Sequence, residues 1–177
     1  MRSKPTPKGS SEGRSRFLLA FGTLLFFPPV AAQPQILWNR TYGGPFDEAC
    51  WQIVQGWGDY VMAGYTTSFG AYREDVYLLK IDDAGNALWN STYDRSTEDL
   101  AYCIAGSPDG GFIVGGMTAM TGRSSAYLLR IDDNGEKMWE KTYRNNSVFY
   151  TLTASGDGGF VAAGDGTVTG RACDVYV

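Results

Sequence analysis

A tryptophan returns along the chain at almost constant spacing: Trp38, Trp89 and Trp139 stand 51 and 50 residues apart. Each opens the same short phrase. It reads Trp38-Asn-Arg-Thr41-Tyr42, then Trp89-Asn-Ser-Thr92-Tyr93, then Trp139-Glu-Lys-Thr142-Tyr143. Self-similarity at a period of about 50 residues, built from short strands, marks a repeat architecture of the β-propeller kind. A single repeat of this sort cannot bury its apolar face alone, so neighbours must stack. The period therefore constrains the fold far more than it constrains any activity.

The first 32 residues stand apart from the repeats. Arg2, Lys4, Lys8, Arg14 and Arg16 make a basic start, and Phe17 to Phe27 form an apolar run. Pro28-Pro29 break that run, and Val30-Ala31-Ala32 place small residues before a cleavage point. This three-part plan predicts a secretory signal peptide over 1–32, cut after Ala32. As a helix the apolar run rises only about 16 Å, roughly half of a hydrocarbon core, which disfavours a spanning anchor. Residues 33–177 then form the repeat domain, expected outside the cell or on its surface. They carry ten basic and 18 acidic residues, a net charge of −8. Such a surface repels phosphate backbones, so nucleic acid is not an expected partner. No later apolar stretch is long enough to span a membrane.

Within the repeats, apolar runs end on matching glycines: Tyr60 to Gly64, Phe112 to Gly116 and Phe160 to Gly164. Asp109-Gly110-Gly111 and Asp157-Gly158-Gly159 precede the last two and predict tight hairpins. The runs Asp75 to Ile81 and Ala126 to Ile131 read as strands, each with a basic residue near its end. Asp82-Asp83-Ala84-Gly85 and Asp132-Asp133-Asn134-Gly135 follow as four-residue turns. The first full copy thus predicts strands near 49–55, 59–65, 75–81 and 87–93, the content of one propeller blade. No segment keeps a helical period. The expected class is all-β, with blades of four antiparallel strands at about 47–93 and 99–143, and a partial blade at 148–177. An orphan Trp strand at 36–42 precedes them, giving about three blades in all. A ring of three blades would be strained, and the chain stops inside the strand-like run Cys173-Asp-Val-Tyr-Val177. A fragment of a larger propeller is therefore the expected state; self-association is the expectation if the chain is complete.

These motifs together resemble repeats of secreted and surface β-propeller-like proteins of archaea and bacteria. The resemblance rests on Trp38-x-x-Thr-Tyr-Gly-Gly44, on Asp-x-Ala (Asp47, Ala49; Asp99, Ala101) and on Asp-Gly-Gly-Phe. It rests further on Gly-x-Thr (Gly64, Thr66; Gly116, Thr118) and Asp75-Val-Tyr-Leu-Leu-Lys-Ile-Asp82. It covers nearly all of 36–177 and implies blades outside the cell, with no catalytic residues to carry over. The copies have drifted: Asp94-Arg95 and Arg144-Asn145 follow the later tyrosines, and Ala126 is aligned with Asp75.

The chain has no histidine, which removes histidine-based acid–base catalysis and histidine-ligated zinc. Cys50, Cys103 and Cys173 fall at non-equivalent places and read as buried apolar residues rather than a disulfide framework. Asp82-Asp83 and Asp132-Asp133 invite calcium, but turn chemistry explains them, and no cofactor is expected. Asp47, Glu48, Glu98 and Asp99 could be drawn as hydrolase carboxylates, yet their recurrence argues for turns. Trp38, Trp89 and Trp139 read as packing residues, whereas Trp51 and Trp57 break the repeat and are candidates for exposed binding aromatics. The variable loops 66–74, 118–125 and 165–172 each carry an arginine, Arg73, Arg123 and Arg171, suited to an acidic or glycan ligand. Asn39, Asn90 and Asn145 head glycosylation acceptor tripeptides. The expected function is a non-catalytic module for protein or glycan binding, or a structural repeat. The alternative is a propeller-fold carbohydrate-active enzyme using loop carboxylates.

Overall fold

A computed structural model describes residues 35–56, 58–70, 73–120, 122–167 and 174–176. The expected signal peptide lies outside the described residues. Among the described residues the chain is all-β, without a helix. β1 (Glu48–Gln55), β2 (Asp59–Thr66), β3 (Asp75–Asp82) and β4 (Ala87–Tyr93) form a four-stranded antiparallel meander. β5 (Glu98–Gly106), β6 (Phe112–Met120), β7 (Arg123–Ile131) and β8 (Lys137–Asn145) form a second. β9 (Ser147–Ala154), β10 (Phe160–Gly166) and the short β11 (Asp174–Tyr176) make a three-stranded third.

The turns form as their sequences dictate. Gly85 N–H donates to the Asp82 carbonyl at 2.9 Å, and Gly135 N–H donates to that of Asp132 at 3.2 Å. Both glycines sit in the left-handed region, at φ of +74° and +82°. The opening aspartates hold the turns from inside. Asp82 Oδ1 accepts from the N–H groups of Ala84 and Asn86, and Asp132 Oδ1 from those of Asn134 and Glu136. These bonds hold both carboxyls below the usual aspartate range. Asx-type capping of this kind is a sufficient reason for aspartate there.

The sheets stack face to face. Val61, Ala63, Val76 and Leu78 of the first sheet bury against Ala101, Ile104, Val114, Tyr127 and Leu129 of the second. The other face of the second sheet, through Cys103, Ile113, Ala126 and Leu128, meets Phe149 and Leu152 of the third. β7 therefore sends alternate residues to opposite neighbours, which is why it reads as a continuous apolar run. The matching glycines permit close strand approach. A Cβ on Gly64, Gly116 or Gly164 would lie 1.7, 1.8 and 1.8 Å from the carbonyl oxygens of Ala49, Leu100 and Val148.

Beyond burial, one directional contact repeats between neighbours. The Trp89 indole N–H donates to the Asp133 carbonyl at 3.1 Å, and the Tyr93 hydroxyl donates to the Gly135 carbonyl at 2.6 Å. The last strand of the first sheet thus clasps the β7–β8 turn of the second. The same clasp occurs one repeat earlier. Trp38 donates to Asp83 O at 2.9 Å and Tyr42 to Gly85 O at 2.6 Å. Glycine is required beneath the ring, because a Cβ on Gly85 would sit 2.9 Å from the Trp38 indole. Residues 36–42 make this contact without being a strand, contrary to the expected orphan strand. Among the described residues no neighbour offers them a ladder; side-chain hydrogen bonds from Trp38, Arg40 and Tyr42 and the ring on glycine hold them instead.

The basic residues near the ends of β3 and β7 are buried and do structural work. Lys80 Nζ lies 3.1 Å from Asp59 and 2.7 Å from Asp133 of the clasped turn. Burial opposes its charge, but the hydrogen bonds and charges of Asp133 and Asp59 outweigh that and hold its ammonium above the usual lysine value. Arg130 pairs with Asp109 at 2.7 Å and donates to Phe112 O at 3.2 Å, pinning the β5–β6 turn. The registers also correct two sequence alignments. Tyr77 opposes Gly64 as Tyr127 opposes Gly116, so Ser125, not Ala126, occupies the Asp75 position. Likewise Glu48 opposes Thr66 as Asp99 opposes Thr118, so Glu48, not Asp47, is the counterpart of Asp99.

Three outcomes are expected in urea denaturation. Gly135→Ala forces a side chain into the left-handed region beneath Trp89 and destabilises the chain by about 1–2 kcal/mol. Lys80→Met strands the Asp59 carboxylate, whose buried Oδ1 has no hydrogen-bond partner among the described residues, and costs about 3 kcal/mol. Asp133→Asn, at a largely exposed carboxylate, costs under about 1 kcal/mol.

Candidate functional site

The first strand of each sheet carries a bulge, and each bulge throws one residue out of the ladder. Pairing skips Trp51 between Cys50 and Gln52, Tyr102 between Ala101 and Cys103, and Tyr150 between Phe149 and Thr151. A bulge bends its strand and re-aims the extra side chain. All three extra residues are aromatic, and they meet. Ring centroids of Trp51 and Tyr102 lie 5.8 Å apart, tilted by 53°, and those of Tyr102 and Tyr150 lie 5.5 Å apart, tilted by 55°. The result is an aromatic column crossing all three sheets along their first strands.

Trp51 is 55% exposed and Tyr150 52%, with Tyr102 half-buried between them. Burial pushes the Tyr102 phenol up from its ordinary value. The Tyr150 hydroxyl donates to the Asp165 carboxylate at 3.4 Å, which fixes the far end. Gln52 Oε1 accepts the Ile104 N–H at 2.9 Å, tying the edge strand β5 to β1 beside the column. Tilted, part-exposed rings in a row offer π-faces and a few polar edges, the surface that stacks on the C–H faces of sugars.

This arrangement both supports and corrects the sequence reading. Trp51 is exposed, as expected. It does not break the repeat, however, because Tyr102 and Tyr150 occupy the same bulge position in their sheets. The equivalence of the two tyrosines is hidden in the sequence because the β1–β2 hairpin is one residue shorter than its counterparts. Counted back from Gly64, Gly116 and Gly164, an aromatic stands thirteen or fourteen residues earlier in every copy. Trp57 and Arg171 lie outside the described residues.

The arginines are placed elsewhere. Arg73 is exposed and ion-paired with Glu98, and it borders a cleft of about 460 Å³ with Thr97, Ala119 and Gly122. Arg123 lines a second cleft of about 280 Å³ with Arg95, Ser96, Thr118 and Thr142. Neither cleft is lined by an aromatic of the column. Asn39 and Asn90 are exposed, whereas the side chain of Asn145 lies outside the described residues. Cys50 is an exposed free thiol, contrary to the expected burial, because among the described residues no sheet packs over it, whereas the equivalent Ala101 is buried against the first sheet. Cys103 is buried as expected, and that burial pushes its thiol up to about 12. Cys173 lies outside the described residues.

The carboxylates drawn for hydrolysis are largely engaged in holding loops. Glu48 accepts from the Thr66 hydroxyl at 2.8 Å and from Gly44 N–H at 3.1 Å. Asp99 accepts from the N–H groups of Arg95 and Ser96 at 2.7 and 2.9 Å. Glu98 pairs with Arg73. One further acidic group gathers at the junction of the first two sheets, where oxygens of Asp75, Asp94 and Asp99 lie within 4.8 Å of one another. These three could offer hard oxygen ligands to a cation, fewer than the six to eight calcium takes. Burial, then the charges of Asp94 and Asp99, raise the Asp75 carboxyl to about 6.

A raised carboxyl pKa has a definite sign. The stability that protonated Asp75 contributes is full below its unfolded value and is lost as pH rises through about 6. Asp75→Asn removes this term. Between about pH 4 and 7 the gap in unfolding free energy between variant and native chain is expected to widen by roughly 3 kcal/mol in the variant's favour. A pH-independent gap in urea midpoints would contradict this. The chain matches no family model and no curated protein sequence.

Proposed function

We propose that the chain is a secreted or cell-surface, non-catalytic binding module whose three sheets are blades of a propeller-type assembly. Its ligand is a glycan laid along Trp51, Tyr102 and Tyr150. The observation that carries this reading is the aromatic column, one bulge aromatic per repeat in ring contact with the next, exposed at Trp51 and Tyr150 and half-buried at Tyr102. Packing alone does not require it. Trp51 and Tyr150 leave half their surface to solvent, while Tyr127, in the core between the first two sheets, is fully buried. Repetition along a surface suits a polymer, because each repeat meets an equivalent unit of the ligand. The acidic balance favours neutral or weakly charged sugars on this face. The blade assignment is supported by the meander order of the sheets and their face-to-face stacking. Secretion is supported by the three-part leader of 1–32.

Titration of the chain with neutral oligosaccharides, read by tryptophan fluorescence, tests the ligand class. Binding that tightens with oligosaccharide length is expected. Trp51→Ala and Tyr150→Ala should each weaken it roughly two- to tenfold, the loss of one aromatic stacking contact. Equal binding by all variants would place the ligand elsewhere. Release of reducing ends from a polysaccharide would favour the enzyme alternative. Mass spectrometry of the exported protein should give Gln33 as its first residue.

A further inference from the structure

The clasp occurs twice in full, once from the lead segment and once between two sheets, and its side chains occur a third time. Trp38–Tyr42 hold the turn 82–86, and Trp89–Tyr93 hold the turn 132–136. In β8, Trp139 opposes Arg130 as Trp89 opposes Lys80, and Tyr143 opposes Ala126 as Tyr93 opposes Val76. The third pair is therefore set in the same register on the same kind of strand. Among the described residues, neither the Trp139 indole nor the Tyr143 hydroxyl reaches a carbonyl, and Trp139 is exposed. We propose that Trp139 and Tyr143 form a docking site for a β-hairpin turn of the type Asp-Asp-x-Gly, carried by a further repeat of this kind.

The two occupied clasps specify the occupant. Its second turn residue supplies a carbonyl to the indole N–H, as Asp83 and Asp133 do. Its fourth supplies a carbonyl to the tyrosine and must be glycine, because the ring lies on it. The residue after the glycine is also read. Two positions beyond Trp38, Arg40 donates to Asn86 Oδ1 at 2.7 Å. The matching residue in β8 is Lys141, whose ammonium lies 5.4 Å from the Trp139 ring centre. A cation there favours glutamate, aspartate or asparagine after the glycine. A second copy of the chain is a poor source. Both of its own turns are clasped already, so it could present one only by breaking its own Trp and Tyr contacts.

The probe is a head-to-tail cyclised peptide carrying residues 130–138, titrated into the intact chain and followed through tryptophan indole N–H resonances. The Trp139 signal is expected to shift saturably, while those of Trp38 and Trp89 stay in place. Tyr143→Phe keeps the ring, removes the donor and should weaken binding about tenfold. A peptide carrying Gly135→Ala should not bind. The proposal fails if Trp139 does not move although the peptide's own spectrum shows a folded turn, or if the alanine peptide shifts it equally. It fails also if only Trp38 or Trp89 responds. A Trp139 indole already protected in a concentration-dependent dimer would make a second copy the occupant and overturn the assignment.

Discussion

The clasp of one sheet's tryptophan and tyrosine on the next sheet's glycine turn is the contact on which the architecture depends. Apolar burial drives the sheets together, but burial has no direction. Two stacked sheets of Val, Leu and Ile could slide or rotate at little cost. The indole and phenol hydrogen bonds accept one geometry only, because their acceptors are two carbonyls of a single tight turn. Each bond contributes about 1 kcal/mol net. That is small beside the buried area, yet it separates one register from its neighbours. The turn must therefore be rigid, and the capping aspartates and positive-φ glycines make it so.

The buried cations extend the same logic. Lys80 is desolvated between Asp59 of its own sheet and Asp133 of the clasped turn. It thus checks the alignment that Trp89 sets, from the strand beside it. Arg130 stays within its own sheet, on Asp109. The two basic residues occupy equivalent positions, but among the described residues Lys80 reaches the neighbouring sheet and Arg130 holds a turn of its own. With the first junction fixed in this way, the bulges of β1 and β5 fall beside one another, and Trp51 meets Tyr102. The third sheet joins the second through the apolar packing of Phe149 and Leu152, which brings the β9 bulge and Tyr150 alongside Tyr102.

Much of the fold was legible in the sequence. The strands from β1 to β4 fall within a residue of the pattern expected from alternation and turn signals, because Asp-x-x-Gly and Gly-Gly leave the backbone few choices. The packing role of Trp89 was legible from its recurrence. Its partner was not, since a hydrogen bond to a turn 44 residues away leaves no local trace. The lead segment was misread as a strand because Trp38 to Tyr42 shares the phrase of β4; the phrase encodes the clasp, and strand pairing needs a neighbour as well. The candidate site was half legible. Trp51 stood out as an aromatic, but bulges shift register by one residue and so hide their own periodicity. Tyr102 and Tyr150 then pass as ordinary strand residues. Arg73 lies on a loop as expected, but Arg123 opens β7, because β6 and β7 pair as far as Met120 and Arg123 and leave little of the expected loop 118–125; the clefts beside both depend on neighbours distant in sequence.

Native-state hydrogen exchange of the double variant Trp89→Phe, Tyr93→Phe tests the clasp most directly. Tyr93→Phe keeps its ring, Trp89→Phe puts a smaller aromatic ring in place of the indole, and together they remove both donors while keeping an aromatic at each position. If the clasp couples the sheets, protection falls together in β3 of the first sheet and β7 of the second, by about 2 kcal/mol in opening free energy. Loss confined to β4, with β3 and β7 as protected as in the native chain, would contradict the account.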